Sequence, residues 1–370
     1  MRAVVLREPG SSPQLLDVDL AGPGPGEVRV RIAAAGVCHS DLHVVQGDWP
    51  LPMPLVLGHE GSGTVVEVGE DVTLLAVGDP VVLSWVAPCG RCRHCRAGHE
   101  ARCELAATVV GPGGVLADGT SRLSLDGGRL FHYLGVSSFA EEAVVPASGA
   151  IKVRPDVDLE QAALLGCAVA TGVGAVRNTA AVQPGASVVV IGCGGVGLSV
   201  VQGARLAGAE RIVAVDLVAA KTEVARLVGA TDAVVPSATT DVVDAVRALL
   251  PEGVDYAFDA IGHTRTTEQA IAMLGLGGAA VVVGLPPSGA TASFEPLSLA
   301  EADQRILGSN YGGIRPAVDI PRLVDDVVGG RILLDPLVSG RRPLADAGHA
   351  LEELAGGSAL RTLLVPELRS

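Results

Sequence analysis

The sequence predicts an α/β protein in which a doubly wound parallel sheet is joined to an irregular, mostly-β domain. Three observations lead there. From residue 187 to residue 284, short β-branched runs alternate with helical segments, the pattern of a parallel sheet with crossover helices. The first run, Val188-Val189-Val190-Ile191, opens directly into Gly192-Cys193-Gly194-Gly195-Val196-Gly197, a Gly-x-Gly-x-x-Gly turn ahead of a helical stretch at 198–207. Before Gly166 there are only short strands punctuated by Gly and Pro.

Chain length fits two domains: 370 residues exceed a typical single core. The boundaries read from the pattern are 1–168 for the irregular domain, with a cysteine lobe at 84–104, and 169–309 for the parallel sheet. Residues 310–370 form a return segment completing the first domain. The apolar share of 48% supports large cores, and no apolar run is long enough to span a bilayer. Met1-Arg2-Ala3-Val4-Val5-Leu6 is followed by Arg7, Glu8 and Pro9, so it reads as a first strand and is too short for a signal-peptide core. A cytoplasmic location is expected, with no membrane partner. A formal charge of −14 argues against a nucleic-acid partner, which needs a concentrated basic face.

In chain order, residues 27–35 alternate in the β manner (Val28, Val30, Ile32), as do 64–68 and 80–83. Residues 105–135 read as a long Gly-rich loop with a hairpin at Asp126-Gly127-Gly128. The alternating region then gives strands at 187–191, 211–215, 233–235, 254–258 and 279–283, with helices at 198–207, 221–228, 241–249 and 266–274. A helical stretch near 320–328 follows.

In the glycine turn, the first glycine permits the bend, the second admits a pyrophosphate, and the third lets the helix pack with its N-terminal amides toward the phosphates. Asp216 ends the next strand nineteen residues past Gly197, where a ribose-binding carboxylate is expected. It would accept hydrogen bonds from the ribose hydroxyls and repel a 2′-phosphate, which selects NAD over NADP. Cys193 has no evident role beyond a small apolar filler.

Four of seven cysteines fall in the run Cys89-x2-Cys92-x2-Cys95-x7-Cys103. Short spacings let four thiolates converge on one tetrahedral ion and close its shell, the form of a structural zinc site. Disulfides or an iron–sulfur cluster are the competing readings. His94 and His99 are surplus and expected to be exposed. A second, dispersed set comprises Cys38, His59 and Cys167, set in Gly36-Val37-Cys38-His39-Ser40-Asp41, Gly58-His59-Glu60-Gly61 and Gly166-Cys167. Two cysteines and one histidine leave a fourth position open for water or substrate, the catalytic form of a zinc site. Each residue alone would more often be a core thiol or core histidine.

Taken together, these motifs resemble the zinc-dependent alcohol dehydrogenases of the medium-chain dehydrogenase/reductase superfamily, nearly end to end. Asp118-Gly119-Thr120-Ser121-Arg122, Leu134-Gly135-Val136-Ser137-Ser138-Phe139 and Gly356-Gly357-Ser358-Ala359-Leu360-Arg361-Thr362 look like the animal-type dimeric branch. The resemblance implies a GroES-like catalytic domain, two zinc ions per chain and a homodimer. It implies that Cys38, His59 and Cys167 hold the catalytic zinc, that Asp41 fixes the His59 imidazole, and that Glu60 is an alternate ligand. Ser40 would take the alcohol proton and pass it through the nicotinamide ribose to His43. His39 and Arg361 match pyrophosphate contacts, Lys221 the adenosine-ribose contact, and Thr171 and Val196 the nicotinamide wall, beside Gly192, Gly194, Gly195 and Gly197. The implied reaction oxidises a primary alcohol to an aldehyde, or the reverse: zinc acts as a Lewis acid on the alcohol, and the nicotinamide accepts hydride.

Trp85 and Leu285 match substrate-pocket positions and Trp49 lies between two ligand motifs, so a hydrophobic or aromatic alcohol is expected. The branch includes glutathione-dependent formaldehyde dehydrogenases. The chain departs from them at Ala107, where an arginine is expected, and at Asp48-Trp49-Pro50-Leu51-Pro52, which lacks their acidic pair. A nicotinoprotein with non-dissociating NAD and an external electron acceptor is one alternative, and a non-catalytic binding protein on the same fold another.

Overall fold

The computed structural model describes residues 1–237 and 241–368. They divide into two compact units, Met1–Cys167 with Ile314–Ser370, and Ala168–Gly313. The last two residues of the expected return segment lie outside the described ones.

In the second unit, six parallel strands run in the spatial order Asp232–Val234, Arg211–Val215, Ser187–Ile191, Val254–Asp259, Leu274–Val282, Arg305–Gly308. Both faces of such a sheet are covered, which is why its strands read as continuous apolar runs. Val189, Ile191, Val213, Val215, Ala257 and Ala280 are buried together with Val242, Val246 and Met273. The order reverses between Ser187–Ile191 and Val254–Asp259. In open sheets of this kind ligands bind at that switch point, outside the carboxyl ends of the strands. Helix Gly195–Leu206 follows the glycine turn, and a Cβ at Gly197 would stand 1.7 Å from the Gly192 carbonyl oxygen, so only glycine lets the helix start so close to the turn.

In the first unit, strand Glu27–Gly36 is the centre of a seven-stranded sheet, flanked by Gly61–Val68, Glu142–Pro146 and the returning strand Arg361–Leu364. A second sheet joins Phe131–His132, Leu55–Val56, Arg2–Leu6 and Gln14–Asp17. The expected hairpin forms: Leu123–Leu125 pairs with Gly128–Arg129 around a left-handed Asp126 and Gly127.

Several expectations need correction. The segment 105–135 is not loop throughout, because helical turns Ala106–Val110 and Gly111–Gly113 continue the chain beyond Cys103, with the Thr108 hydroxyl donating to the Glu104 carbonyl. Strand Gly61–Val68 starts three residues early, since Gly61-Ser62-Gly63 pairs with Glu27–Gly36 despite weak strand propensity. Helix Pro316–Val328 begins four residues early, with proline in its first turn. Among the described residues, no single helix is long and apolar enough to cross a membrane.

Candidate active site

Three elements of the first unit carry the dispersed set. Cys38 caps helix His39–Gln46 at the end of strand Glu27–Gly36; its amide donates to Asp41 Oδ2 at 3.1 Å. His59 lies two residues ahead of strand Gly61–Val68. Cys167 follows Gly166, where a Cβ would come within 2.5 Å of the Leu83 carbonyl oxygen. Glycine there lets the chain close against Pro80–Leu83 and the Gly61 backbone, which delivers Cys167 to the other two. The ligand atoms of Cys38, His59 and Cys167 lie within 4.8 Å of one another, and all three residues are buried.

Orientation is fixed from behind. Asp41 is wholly buried; its Oδ1 accepts from the Gly58 amide at 3.2 Å and lies 3.3 Å from His59 Nδ1. With Nδ1 turned to a carboxylate, Nε2 is the nitrogen offered to the cluster. Nε2 is buried and has no hydrogen-bond partner among the described residues. Tyr133 packs edge-on against the imidazole, ring centroids 5.3 Å apart, and its hydroxyl donates to the Ser40 carbonyl at 3.0 Å. No motif in the sequence singles out this tyrosine.

The electrostatics call for positive charge. Burial disfavours an imidazolium at His59, but Asp41 prevails and the pKa is pushed up to about 10. The Cys38 thiol is held well below the usual thiol range by its hydrogen bond from Cys167, against the opposing effect of burial and with help from the Arg361 charge. Cys167, which carries the shared hydrogen in a buried place, is pushed up. A zinc ion satisfies all three at once: it replaces the proton, fills the orphaned Nε2 and takes both sulfurs. The residues therefore fit the metal.

The other expected residues fall as follows. Glu60 is fully buried outside the three-ligand cluster, its Oε1 3.6 Å from Arg361 Nε. Arg361, expected at a pyrophosphate, is 3% exposed and turned inward on Val37 and Cys38. His39 is exposed and Ser40 half-buried. His43 Nδ1 lies 2.6 Å from Asp48 Oδ2, and its ring stacks on Trp49. Both tryptophans are half-buried and pack on separate apolar clusters, Trp49 on the one that includes Val44, Leu57 and Tyr133, Trp85 on the one that includes Val65, Leu83 and Val136.

The cysteine lobe forms a second cluster. The sulfurs of Cys89, Cys92, Cys95 and Cys103 lie within 4.8 Å of one another, with Cys89 and Cys95 4.0 Å apart. Two thiolates on one zinc with bonds of ~2.3 Å in tetrahedral geometry stand about 3.8 Å apart. All seven cysteines are free thiols, which removes the disulfide reading. The Cys89, Cys92 and Cys95 amides donate to Cys103, Cys89 and Cys92 sulfurs, and the Cys95 amide, the largest influence on Cys92, helps draw its pKa down to about 6. His94 is half-buried, 3.8 Å from Glu104, where exposure was expected; His99 is exposed, and neither joins the cluster.

In the second unit, Gly194 caps helix Gly195–Leu206, Val196 is half-buried, and Thr171 is buried. Asp216 Oδ2 accepts from the Cys193 amide at 2.8 Å and Oδ1 from the Val218 amide at 2.9 Å. The carboxylate is thus held at the glycine turn, and Lys221 stands half-buried in helix Ala219–Val228. Leu285 is exposed. Sequence reasoning missed Asp259. Its carboxylate is fully buried and accepts from the Ile261 and Gly262 amides and the Thr266 and Thr267 hydroxyls, fixing the loop across the switch point from the glycine turn. An aspartate ending an apolar strand ahead of Ile-Gly and two threonines was the available signal.

Residues 24–156 match the model of the alcohol dehydrogenase GroES-like domain, and residues 195–327 that of the zinc-binding dehydrogenases. The chain is 40% identical to an S-(hydroxymethyl)glutathione dehydrogenase of Synechocystis, covering 98% of this chain and 99% of the relative. Among solved structures, it resembles an alcohol dehydrogenase zinc-binding domain protein from Burkholderia ambifaria (39% identity, TM-score 0.93) and the benzyl alcohol dehydrogenase of Acinetobacter calcoaceticus (35%, TM-score 0.93). Each alignment covers 98% of both chains. The dispersed cluster of two cysteines and a histidine, the four-cysteine lobe and these likenesses over almost the whole length agree, and the chain belongs to the zinc-dependent alcohol dehydrogenases of the medium-chain dehydrogenase/reductase superfamily.

Proposed function

We propose that the protein oxidises a hydrophobic primary alcohol to its aldehyde, or runs the reverse reaction, with NAD as hydride acceptor. The observation that carries this reading is the Cys38–His59–Cys167 cluster: three buried ligands, one polarised by Asp41, with no fourth protein ligand in the group. Zinc bound there supplies Lewis acidity toward an alcohol oxygen, and a bound nicotinamide takes the hydride.

The chain's own residues do the rest. Cys38, His59 and Cys167 hold the metal, and Asp41 keeps the imidazole in the ligating tautomer. Glu60 is a carboxylate in reserve behind the site. Ser40 receives the alcohol proton and His43, 18% exposed, releases it toward water. Asp216, immobilised by two backbone amides, accepts the adenosine ribose hydroxyls and disfavours a 2′-phosphate. His39 contacts the pyrophosphate and Lys221 the adenosine ribose, with Thr171 and Val196 as the nicotinamide wall. The apolar side chains of Trp49, Trp85 and Leu285 favour a hydrophobic alcohol, in line with the benzyl alcohol dehydrogenase relative. A homodimer is the proposed assembly.

A second substrate is favoured by a specific observation: the 40%-identical relative is named for S-(hydroxymethyl)glutathione. Ala107 stands where an arginine is expected and the stretch from Asp48 to Pro52 lacks the acidic pair expected for glutathione's ionic groups, which favours the simpler alcohol. Steady-state kinetics with NAD on benzyl alcohol, medium-chain alcohols, small polyols and S-(hydroxymethyl)glutathione decides. The reading expects benzyl or medium-chain alcohols to lead in kcat/KM. Dominance of the glutathione adduct or of polyols overturns it, and nucleotide that survives dialysis with turnover only on an external acceptor identifies a nicotinoprotein.

A further inference from the structure

Helix His39–Gln46 ends in a way that determines what His43 can do. Gly47 adopts the left-handed conformation (φ 81°, ψ 15°), which residues other than glycine seldom take. The chain therefore doubles back, and the Asp48 amide donates to the His43 carbonyl at 2.9 Å. The same reversal brings Asp48 Oδ2 to 2.6 Å from His43 Nδ1. It also lays Trp49 against a face of the ring, centroids 4.7 Å apart and planes 30° from parallel. Trp49 is itself anchored in the apolar cluster of Val44, Leu57 and Tyr133. The imidazole is thus held by two consecutive residues, Asp48 and Trp49, which the turn at Gly47 brings back to it.

We propose that Asp48 is a positioning residue for proton removal: it holds the proton on His43 Nδ1 and so leaves Nε2 as the basic nitrogen that faces the incoming proton. This rests on the relay reading of Ser40 and His43. In the oxidation direction the alcohol O–H breaks, and its proton passes by way of Ser40 to His43 Nε2, with no electrons moved in this step. The resulting imidazolium is stabilised by the Asp48 carboxylate, then returns one proton to bulk water. Both members of the pair reach water, His43 being 18% and Asp48 29% exposed. Without the carboxylate, the ring can place its proton on either nitrogen and rotate away from Trp49, so only part of the population is ready to accept.

The test uses the zinc-loaded enzyme with NAD and either benzyl alcohol or ethanol. Asp48→Ala, Asp48→Asn and His43→Ala are compared in kcat, KM, Tm and the rate of proton release seen with a pH-indicator dye. The asparagine carbonyl still accepts from Nδ1–H, so Asp48→Asn preserves the tautomer without the charge. The expected result is an Asp48→Ala loss of about tenfold in kcat and in proton-release rate. KM for the alcohol and Tm should stay near wild type, with Asp48→Asn recovering most of the loss. Wild-type kcat and proton release in Asp48→Ala, while His43→Ala is slow, overturn the positioning role but leave the relay standing. Equal losses in Asp48→Ala and Asp48→Asn with a lowered Tm also overturn it, making Asp48 a helix-end stabiliser. If His43→Ala is itself as fast as wild type, the relay reading fails and the inference falls with it.

Discussion

Arg361 Nη2 lies 3.3 Å from Cys38 Sγ, in a place where the arginine is only 3% exposed. Its Nη1 donates to the Val37 carbonyl at 3.0 Å, and its Nε stands 3.6 Å from Glu60 Oε1. A single buried cation from the returning C-terminal strand thus balances a ligand thiolate and a buried carboxylate. Arg361→Met removes the buried cation beside Glu60 and Cys38, a change of the kind that costs about 3–5 kcal/mol when one partner of a buried pair is lost. Thermal unfolding of the variant should show a large drop in Tm, and dialysis against a weak chelator should strip the Cys38 site faster than in wild type. An unchanged Tm would mean that Glu60 takes up a proton at little cost.

Asp216 should govern the choice of dinucleotide. Its carboxylate is held in place by the Cys193 and Val218 amides, so its position does not depend on ligand. Asp216→Ser removes charge-assisted hydrogen bonds of about 1.5–3 kcal/mol, equivalent to roughly a 10- to 100-fold loss in kcat/KM for NAD. NADP should improve in the same variant, because the repulsion of its 2′-phosphate is gone. Kinetics with both nucleotides check this; equal losses for both would show that Asp216 acts only on the fold.

Asp259 is predicted to organise the second loop of the switch point. Asp259→Ala removes the acceptor of the Ile261 and Gly262 amides, each costing about 1–3 kcal/mol where it stays shielded from water, while the Thr266 and Thr267 hydroxyls keep the His263 carbonyl. The variant should unfold at a much lower temperature. Asp259→Asn, which keeps one acceptor oxygen, should fold but bind NADH more weakly, as read by the quenching or enhancement of NADH fluorescence. Wild-type affinity in Asp259→Asn would separate this loop from the nucleotide site.

His132 gives the fold a sensitivity to acid. Burial, with the Arg122 charge adding to it, draws its pKa down to about 3 from the ordinary 6.5. Its Nε2 accepts from the Arg122 amide at 3.3 Å. The unfolded chain therefore binds a proton below about pH 6.5 that the folded chain refuses until about pH 3. Stability from this residue is fully present above 6.5 and is lost across that window, at about 1.4 kcal/mol per pH unit. His132→Gln keeps an acceptor at the same reach and does not titrate. Denaturant unfolding between pH 6 and 4.5 should show a shallower loss in His132→Gln than in wild type; parallel curves would refute the assignment.

How much was legible follows from what each feature depends on. The parallel sheet, the glycine turn and the four-cysteine lobe are local patterns: apolar runs buried on both faces and short thiol spacings announce themselves in the sequence. The fold class and family read from them are those the structure and the comparisons show. Gly61-Ser62-Gly63 was illegible as strand, because those residues pair through backbone closeness and carry no β-branched signal. Likewise, no periodicity places Tyr133 against His59 or turns Arg361 inward onto Cys38, since both depend on contacts between residues far apart in the chain. Asp48 was read only for what it lacked toward glutathione, whereas its grip on His43 depends on the left-handed turn at Gly47.

The central claim is that one zinc sits on Cys38, His59 and Cys167 with a place left for substrate. Anomalous diffraction at the zinc edge tests it most directly. The account predicts two ions per chain: one inside four sulfurs at Cys89, Cys92, Cys95 and Cys103, the other on two sulfurs and His59 Nε2 with a water or alcohol as its remaining ligand. A single ion confined to the cysteine lobe, or a second ion closed off by a fourth protein side chain in every state, would contradict it.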